Sequence, residues 1–167
     1  MTDRPAPTDA PHDSLPPRGR LAGIDYGTVR IGVAISDPAQ TLASPLENYQ
    51  RGGGAADERW LKKLVAGEQI VGFVVGLPVH NSGLESQKSR EAREFARVLH
   101  ELTKLPVRLF DERYTTAHAE ELLLAAGFTS KQRKQRLDKL AAQILLTAYL
   151  ESPRAEREPG ALEDRRG

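Results

Sequence analysis

At 167 residues, with 24 Lys and Arg against 23 Asp and Glu, the chain has the length for one hydrophobic core and not for a second full domain. The absence of cysteine excludes disulfide frameworks, thiolate zinc sites and thiol nucleophiles, and no run approaches the roughly 18 apolar residues of a membrane span. A net charge of +1 gives no whole-molecule attraction for a polyanion, so any affinity for nucleic acid must be local.

Residues 1–20 contain Pro5, Pro7, Pro11, Pro16 and Pro17 among small polar residues, too few apolar groups to offset the entropy of ordering them. They are expected to form a disordered leader, and since Met1 to Arg20 lacks the apolar centre of a signal peptide, a soluble cytoplasmic protein is expected. Residues 151–167 are mostly charged, with Pro153 and Pro159, and read as a flexible tail. The folded domain is then residues 21–150.

Within it, Leu21 to Asp25, a turn at Tyr26 to Val29, and the Ile- and Val-rich Arg30 to Ser36 predict a β-hairpin. Thr41 to Tyr49 can add a third antiparallel strand, and Gly52 to Gly54 break the chain before a helix around Trp60, Leu61, Leu64 and Val65. The continuous apolar run Ile70 to Gly76 has the pattern of a strand covered on both faces. Ser82 and Glu85 have capping-box spacing, predicting a helix through Ala96, Leu99 and Leu102. Val107 to Phe110 is a further strand. A helix opened by Thr115 or Thr116 should stop near Gly127, and a last helix carries the stripe Leu137, Leu140, Ala141, Ile144, Leu145 and Ala148. The order β-β-β-α-β-α-β-α-α describes an α/β protein, a mixed five-stranded sheet with helices on both faces.

Three acids stand out. Asp25 ends an apolar strand, where a carboxylate is costly unless a cation or several donors neutralise it. Glu112 lies just past another apolar strand, and strand alternation sends Asp111 and Glu112 to opposite faces, so only one of the two should point at Asp25. Asp138 lies beside the apolar stripe of the last helix, with the small Ala141 and Ala142 at i+3 and i+4 leaving room for a hydrated ion. Clustered carboxylates repel one another unless a divalent cation keeps them ionised, and oxygen ligands suit Mg²⁺ or Mn²⁺. The plainer reading makes Asp111–Glu112–Arg113 a solvated turn and Asp138 a helix-surface acid.

Local positive charge is available near these acids. Lys131, Arg133, Lys134, Arg136 and Lys139 crowd the start of the last helix, while Arg30, Lys88, Arg90, Arg93 and Arg113 are placed to contact phosphates; the alternative is a solubilising surface. The histidines show no metal-ligand spacing. Trp60 and the four tyrosines read as packing residues rather than base-stacking platforms, because no aromatic cluster accompanies them in the sequence.

Four ordered segments, Gly23 to Ala34 (GIDYGTVRIGVA), Val75 to Pro78 (VGLP), Asp111 to Thr116 (DERYTT) and Asp138 to Leu145 (DKLAAQIL), closely resemble the YqgF family, also called RuvX, with Tyr114 where leucine is common. The resemblance implies an RNase H-like, RuvC-like fold. It implies that Asp25, Glu112 and Asp138 hold Mg²⁺ or Mn²⁺ and are the catalytic residues of a nuclease that matures the 5′ end of pre-16S rRNA, or, in the older assignment for the family, resolves Holliday junctions. With Asp25 between two ions roughly 4 Å apart, such a site would perform in-line phosphodiester hydrolysis. Two other classes compete. Ile24 to Thr28 also resembles the first phosphate loop of actin-like and sugar-kinase ATPases, which need two such lobes. A nucleic-acid-binding ribosome-assembly module would use the same groove without chemistry.

Overall fold

The computed structural model describes residues 14–78, 86–112 and 124–152, without the side chains of residues 134–139. Its elements are β1 (Arg20–Asp25), β2 (Arg30–Ser36), β3 (Ala43–Gln50), α1 (Gly54–Glu68), β4 (Ile70–Leu77), α2 (Gln87–Thr103), β5 (Val107–Asp111) and α3 (Ser130–Glu151). The strands form one sheet in the order β3-β2-β1-β4-β5. β2 runs antiparallel to β1 and β3, whereas β4 is parallel to β1 and β5 to β4. This is the expected mixed five-stranded α/β sheet.

The central strands are apolar along their middles because both faces are covered there. Ala22, Ile24, Phe73 and Val75 join Leu61 and Leu64 of α1 and Ala96 and Leu99 of α2 in one core. Leu21, Ala34, Val74 and Phe110 join Leu145, Leu146 and Tyr149 of α3 in the other. Helix α3 approaches β1 closely: a Cβ added to Gly23 would stand 2.8 Å from Leu146 Cβ and 3.1 Å from the Ala142 carbonyl. Only glycine permits that approach. Among the described residues no helix is long and apolar enough to cross a membrane.

Local signals explain most element ends. Thr129 and Gln132 form a reciprocal capping box at the start of α3, satisfying two backbone donors the helix cannot reach. Gly127, at φ +81°, donates to the Leu124 carbonyl at 2.9 Å, so the preceding helix stops where expected; Thr115 and Thr116 lie outside the described residues. The start of α2 corrects the reading that began a helix at Ser82. Its N-cap is Ser86, which accepts from the Ser89 N–H at 3.1 Å, while Ser89 Oγ donates back to the Ser86 carbonyl. Ser82 and Glu85 lie outside the described residues.

Residues 14–19, assigned to the leader by composition, contact the domain. Leu15 packs against the second core, and Gln40 Nε2 donates to the carbonyls of Pro16 (2.8 Å) and Gly19 (3.1 Å).

Candidate active site

Asp25 ends β1, in register with Gly32 of β2. Its side chain faces the α3 side of the sheet: a Cβ at Gly32 would lie 3.9 Å from Asp25 Oδ2 and 3.7 Å from Ala142 Cβ. Two strands away, Glu112 follows β5 and is anchored by its N–H to the Leu77 carbonyl, 3.0 Å. Its carboxyl folds back over Gly76, where an added Cβ would meet Oε1 at 2.5 Å and Cγ at 3.1 Å. Gly76 thus leaves the space Glu112 fills. A cavity of about 360 Å³ joins Asp25, Thr28, Gly76, Lys88 and Glu112.

The electrostatics of this cavity are unfavourable for two bare carboxylates. Burial, then the charges of Asp25 and Asp111, push the Glu112 carboxyl up from 4.5 to about 7, with Lys88 acting in the opposite direction. A divalent cation would reverse that balance. Asp25 and Glu112 are oxygen donors of the kind Mg²⁺ and Mn²⁺ accept. Among the described residues no group of three acids or histidines is assembled; the Asp138 side chain lies outside them. The backbone does place position 138 four residues, about 6 Å along the helix axis, before Ala142. Because Leu146 sits against Gly23 and Ala142 beside Gly32 and Asp25, α3 runs opposite to β1, and moving from Ala142 toward Asp138 leads toward the end of β1 that carries Asp25.

The remaining expected contacts are dispersed. Lys88 lines the cavity, and Arg30 is exposed at the start of β2. Lys131 and Arg133 lie on the first turn of α3. There Arg133 donates to the Phe128 carbonyl at 2.8 Å and to Ser130 Oγ at 3.1 Å, bracing the helix start nine residues before Ala142. Arg113 lies outside the described residues, as do the side chains of Lys134 and Lys139.

Two features escaped the sequence reading. The turn that follows Asp25 is held by Arg51, whose Nη1 donates to Tyr26 Oη at 2.9 Å and to the Gly27 carbonyl at 3.4 Å, and whose N–H donates to the Val29 carbonyl at 3.0 Å. Asp57 fixes Arg51 in turn, accepting from its Nε at 3.0 Å, from Tyr49 Oη at 2.9 Å and from the Gly52 N–H at 3.0 Å. Burial pushes the Asp57 carboxyl up, but these donors outweigh it and hold it below the ordinary carboxylate range. The second feature corrects the view that no aromatic cluster exists. Tyr26 packs on Phe95 (ring centroids 4.7 Å apart) and Tyr49 stacks on Trp60 (3.9 Å, 2° between planes). Residues as distant as 26 and 95 meet only through the sheet and α2, so no local spacing could have indicated it.

The family model described as "RuvX: Holliday junction resolvase" matches residues 19–152. A protein of Rhodopirellula baltica named "Putative pre-16S rRNA nuclease" is 49% identical over 150 residues, 90% of this chain and 87% of that protein. A Rhodobacter capsulatus protein of the same name is 43% identical over 138 residues, 83% and 87% of the two chains. Among solved structures, Thermus thermophilus RuvC in complex with a Holliday junction substrate superposes with a TM-score of 0.52 at 14% identity, covering 78% of this chain and 91% of that one. At that identity the likeness concerns the fold, which is RuvC-like, as expected.

Proposed function

The chain belongs to the RuvX family, and on that premise we propose that it is a metal-dependent nuclease that hydrolyses phosphodiester bonds in structured RNA, its substrate the precursor of 16S rRNA. The observation that carries the reading is the pairing of Asp25 with a half-buried Glu112 whose ionisation is opposed by desolvation and by its acidic neighbours. The names carried by the relatives agree with it.

Asp25, Glu112 and Asp138 are the residues that would hold Mg²⁺ or Mn²⁺, and ions bound there supply an activated water and neutralise charge on the leaving oxygen. The chain's own groups orient the strand. Lys88 faces the cavity from the first turn of α2 and offers an ammonium to a phosphate, while Thr28, on the turn after Asp25, offers a hydroxyl. Arg30, Lys131, Arg133, Lys134, Lys139 and Arg113 are proposed to contact phosphates farther along, because they flank the same end of the sheet or the start of α3 in sequence. Their contribution is electrostatic and therefore steeply salt-dependent.

The description of the family model favours a second reading, cleavage of branched DNA. End-labelled pre-16S rRNA and a four-way DNA junction, incubated side by side with Mg²⁺, Mn²⁺ or EDTA, separate the two. We expect metal-dependent cutting of the RNA that disappears in Asp25→Asn. Cutting of the junction alone would establish the second reading. Binding without cutting of either would leave an assembly module and refute catalysis, as would full activity in a folded Asp25→Asn protein.

A further inference from the structure

Beside the acidic cavity lies a second one, of about 490 Å³, between α1, α2 and the β1–β2 turn. The two are neighbours, since Tyr26 and Glu91 line both. The volume falls in the range that accommodates one small ligand, roughly 300–1,000 Å³. The walls are aromatic and aliphatic, with Tyr26, Trp60, Phe95 and Val98 among them.

Two of the aromatic rings are fixed before any ligand arrives. Tyr26 is held against Phe95, with the Arg51 guanidinium 5.3 Å from its ring centroid and hydrogen-bonded to its hydroxyl. Trp60 is stacked on Tyr49 and donates from Nε1 to Glu47 at 2.8 Å. Rigid rings at low entropic cost are what sequence-tolerant stacking of a base requires. The rim combines carboxylates of Glu58, Glu91 and Glu94 with Gln87 and Arg90. Such a rim disfavours phosphate inside the cavity and presents acceptors and donors to the edge of a base.

We infer that this groove receives one unpaired nucleobase of the substrate strand, flipped out beside the phosphate seated at Asp25. The occupant follows from continuity: Tyr26 directly succeeds Asp25, so a strand whose phosphate is at the acids carries its neighbouring nucleotide past the mouth of the groove. A base stacked within a duplex cannot enter, which makes the groove a selector for single-stranded or unpaired positions. The inference rests on the nuclease reading for its placement of the phosphate.

Trp60 is the single tryptophan, so its fluorescence reports the groove directly. In EDTA, the full chain is titrated with a single-stranded RNA spanning the cut position, with the same RNA carrying one abasic nucleotide at successive positions, and with its blunt duplex. Saturable quenching by the strand, absent with the duplex and relieved by an abasic nucleotide at one position only, is the expected result. Val98→Phe, which fills the groove, should raise KM for the strand about ten-fold, the loss of one stacked base, with kcat unchanged.

Quenching that the duplex produces equally, or that no abasic position relieves, overturns the inference. A Trp60 emission that shifts with protein concentration alone also overturns it, because it assigns the groove to a second copy of the chain. Position-dependent quenching with no cleavage under any metal would uphold the groove while refuting the nuclease reading, so the two fail separately.

Discussion

The carboxyl of Glu112 occupies the space that a side chain on Gly76 would take, with Oε1 only 2.5 Å from the ideal Cβ position. Gly76→Ala must therefore push the Glu112 carboxyl out of its present position. The atoms met belong to the flexible end of Glu112, which can swing aside at little cost in stability, but displacing a reacting group by about 1 Å costs on the order of a hundred-fold in rate. Thermal melts and cleavage assays should show a folded protein with cleavage reduced by about that factor. Near wild-type activity would mean that Glu112 does not need its present position.

Glu112 also gives the metal-free protein a characteristic pH dependence. Its carboxyl titrates at about 7 in the folded chain against an ordinary 4.5, so the folded state retains a proton that the unfolded state gives up. The stability from this group is present below 4.5 and is lost as pH rises through about 7. In EDTA, the urea midpoint should fall between pH 5 and pH 8 more in wild type than in Glu112→Gln. Equal slopes in the two proteins would contradict the electrostatic description of the cavity.

Arg51 is expected to matter through the turn it holds. Arg51→Ala removes its side-chain bonds to Tyr26 and Gly27 and leaves Asp57 with Tyr49 and Gly52 alone. A loss of about 1–2 kcal/mol, discounted for partial exposure, should accompany weaker divalent-metal binding measured by calorimetry. Arg51→Lys should not restore binding, because an ammonium cannot address Asp57 and Tyr26 with a planar fork. Full rescue by lysine would show that charge alone suffices.

The surroundings of two glycines predict opposite outcomes for their replacement by alanine. Gly23→Ala meets Leu146 Cβ at 2.8 Å and the Ala142 carbonyl at 3.1 Å, so α3 must shift, at about 1–3 kcal/mol, and carry position 138 with it. Gly67, exposed in α1 with nothing within 4 Å of an added Cβ, should instead gain roughly 0.5–1 kcal/mol on change to Ala. Denaturant midpoints of the two variants check both signs; stabilisation by Gly23→Ala would refute the tight contact.

Much of the frame was legible in the chain because strand and helix patterns are local. The apolar run Ile70 to Gly76 and the hairpin around Tyr26 to Val29 each report their elements through nearest-neighbour periodicity. The stripe read for the last helix was displaced: among the described residues, those it buries are Ala142, Leu145, Leu146 and Tyr149, of which only Leu145 belonged to the expected stripe, because the glycines of the sheet that decide which face packs lie far away in the chain. The start of α2 was misplaced because the Ser82–Glu85 spacing was taken as the capping box, whereas the hydroxyl that meets a free N–H is the one on Ser86.

What the sequence determined by itself, then, is the element order, the mixed sheet and an acid at the end of β1, since each depends on residues a few positions apart. What only the tertiary structure decided is which groups share space. Glu112 came to rest over Gly76, Arg51 on the turn after Asp25, and Tyr26 against Phe95. Those pairings join strands and helices whose separation along the chain carries no periodic signal, and they follow from strand order and close packing, which are properties of the folded whole.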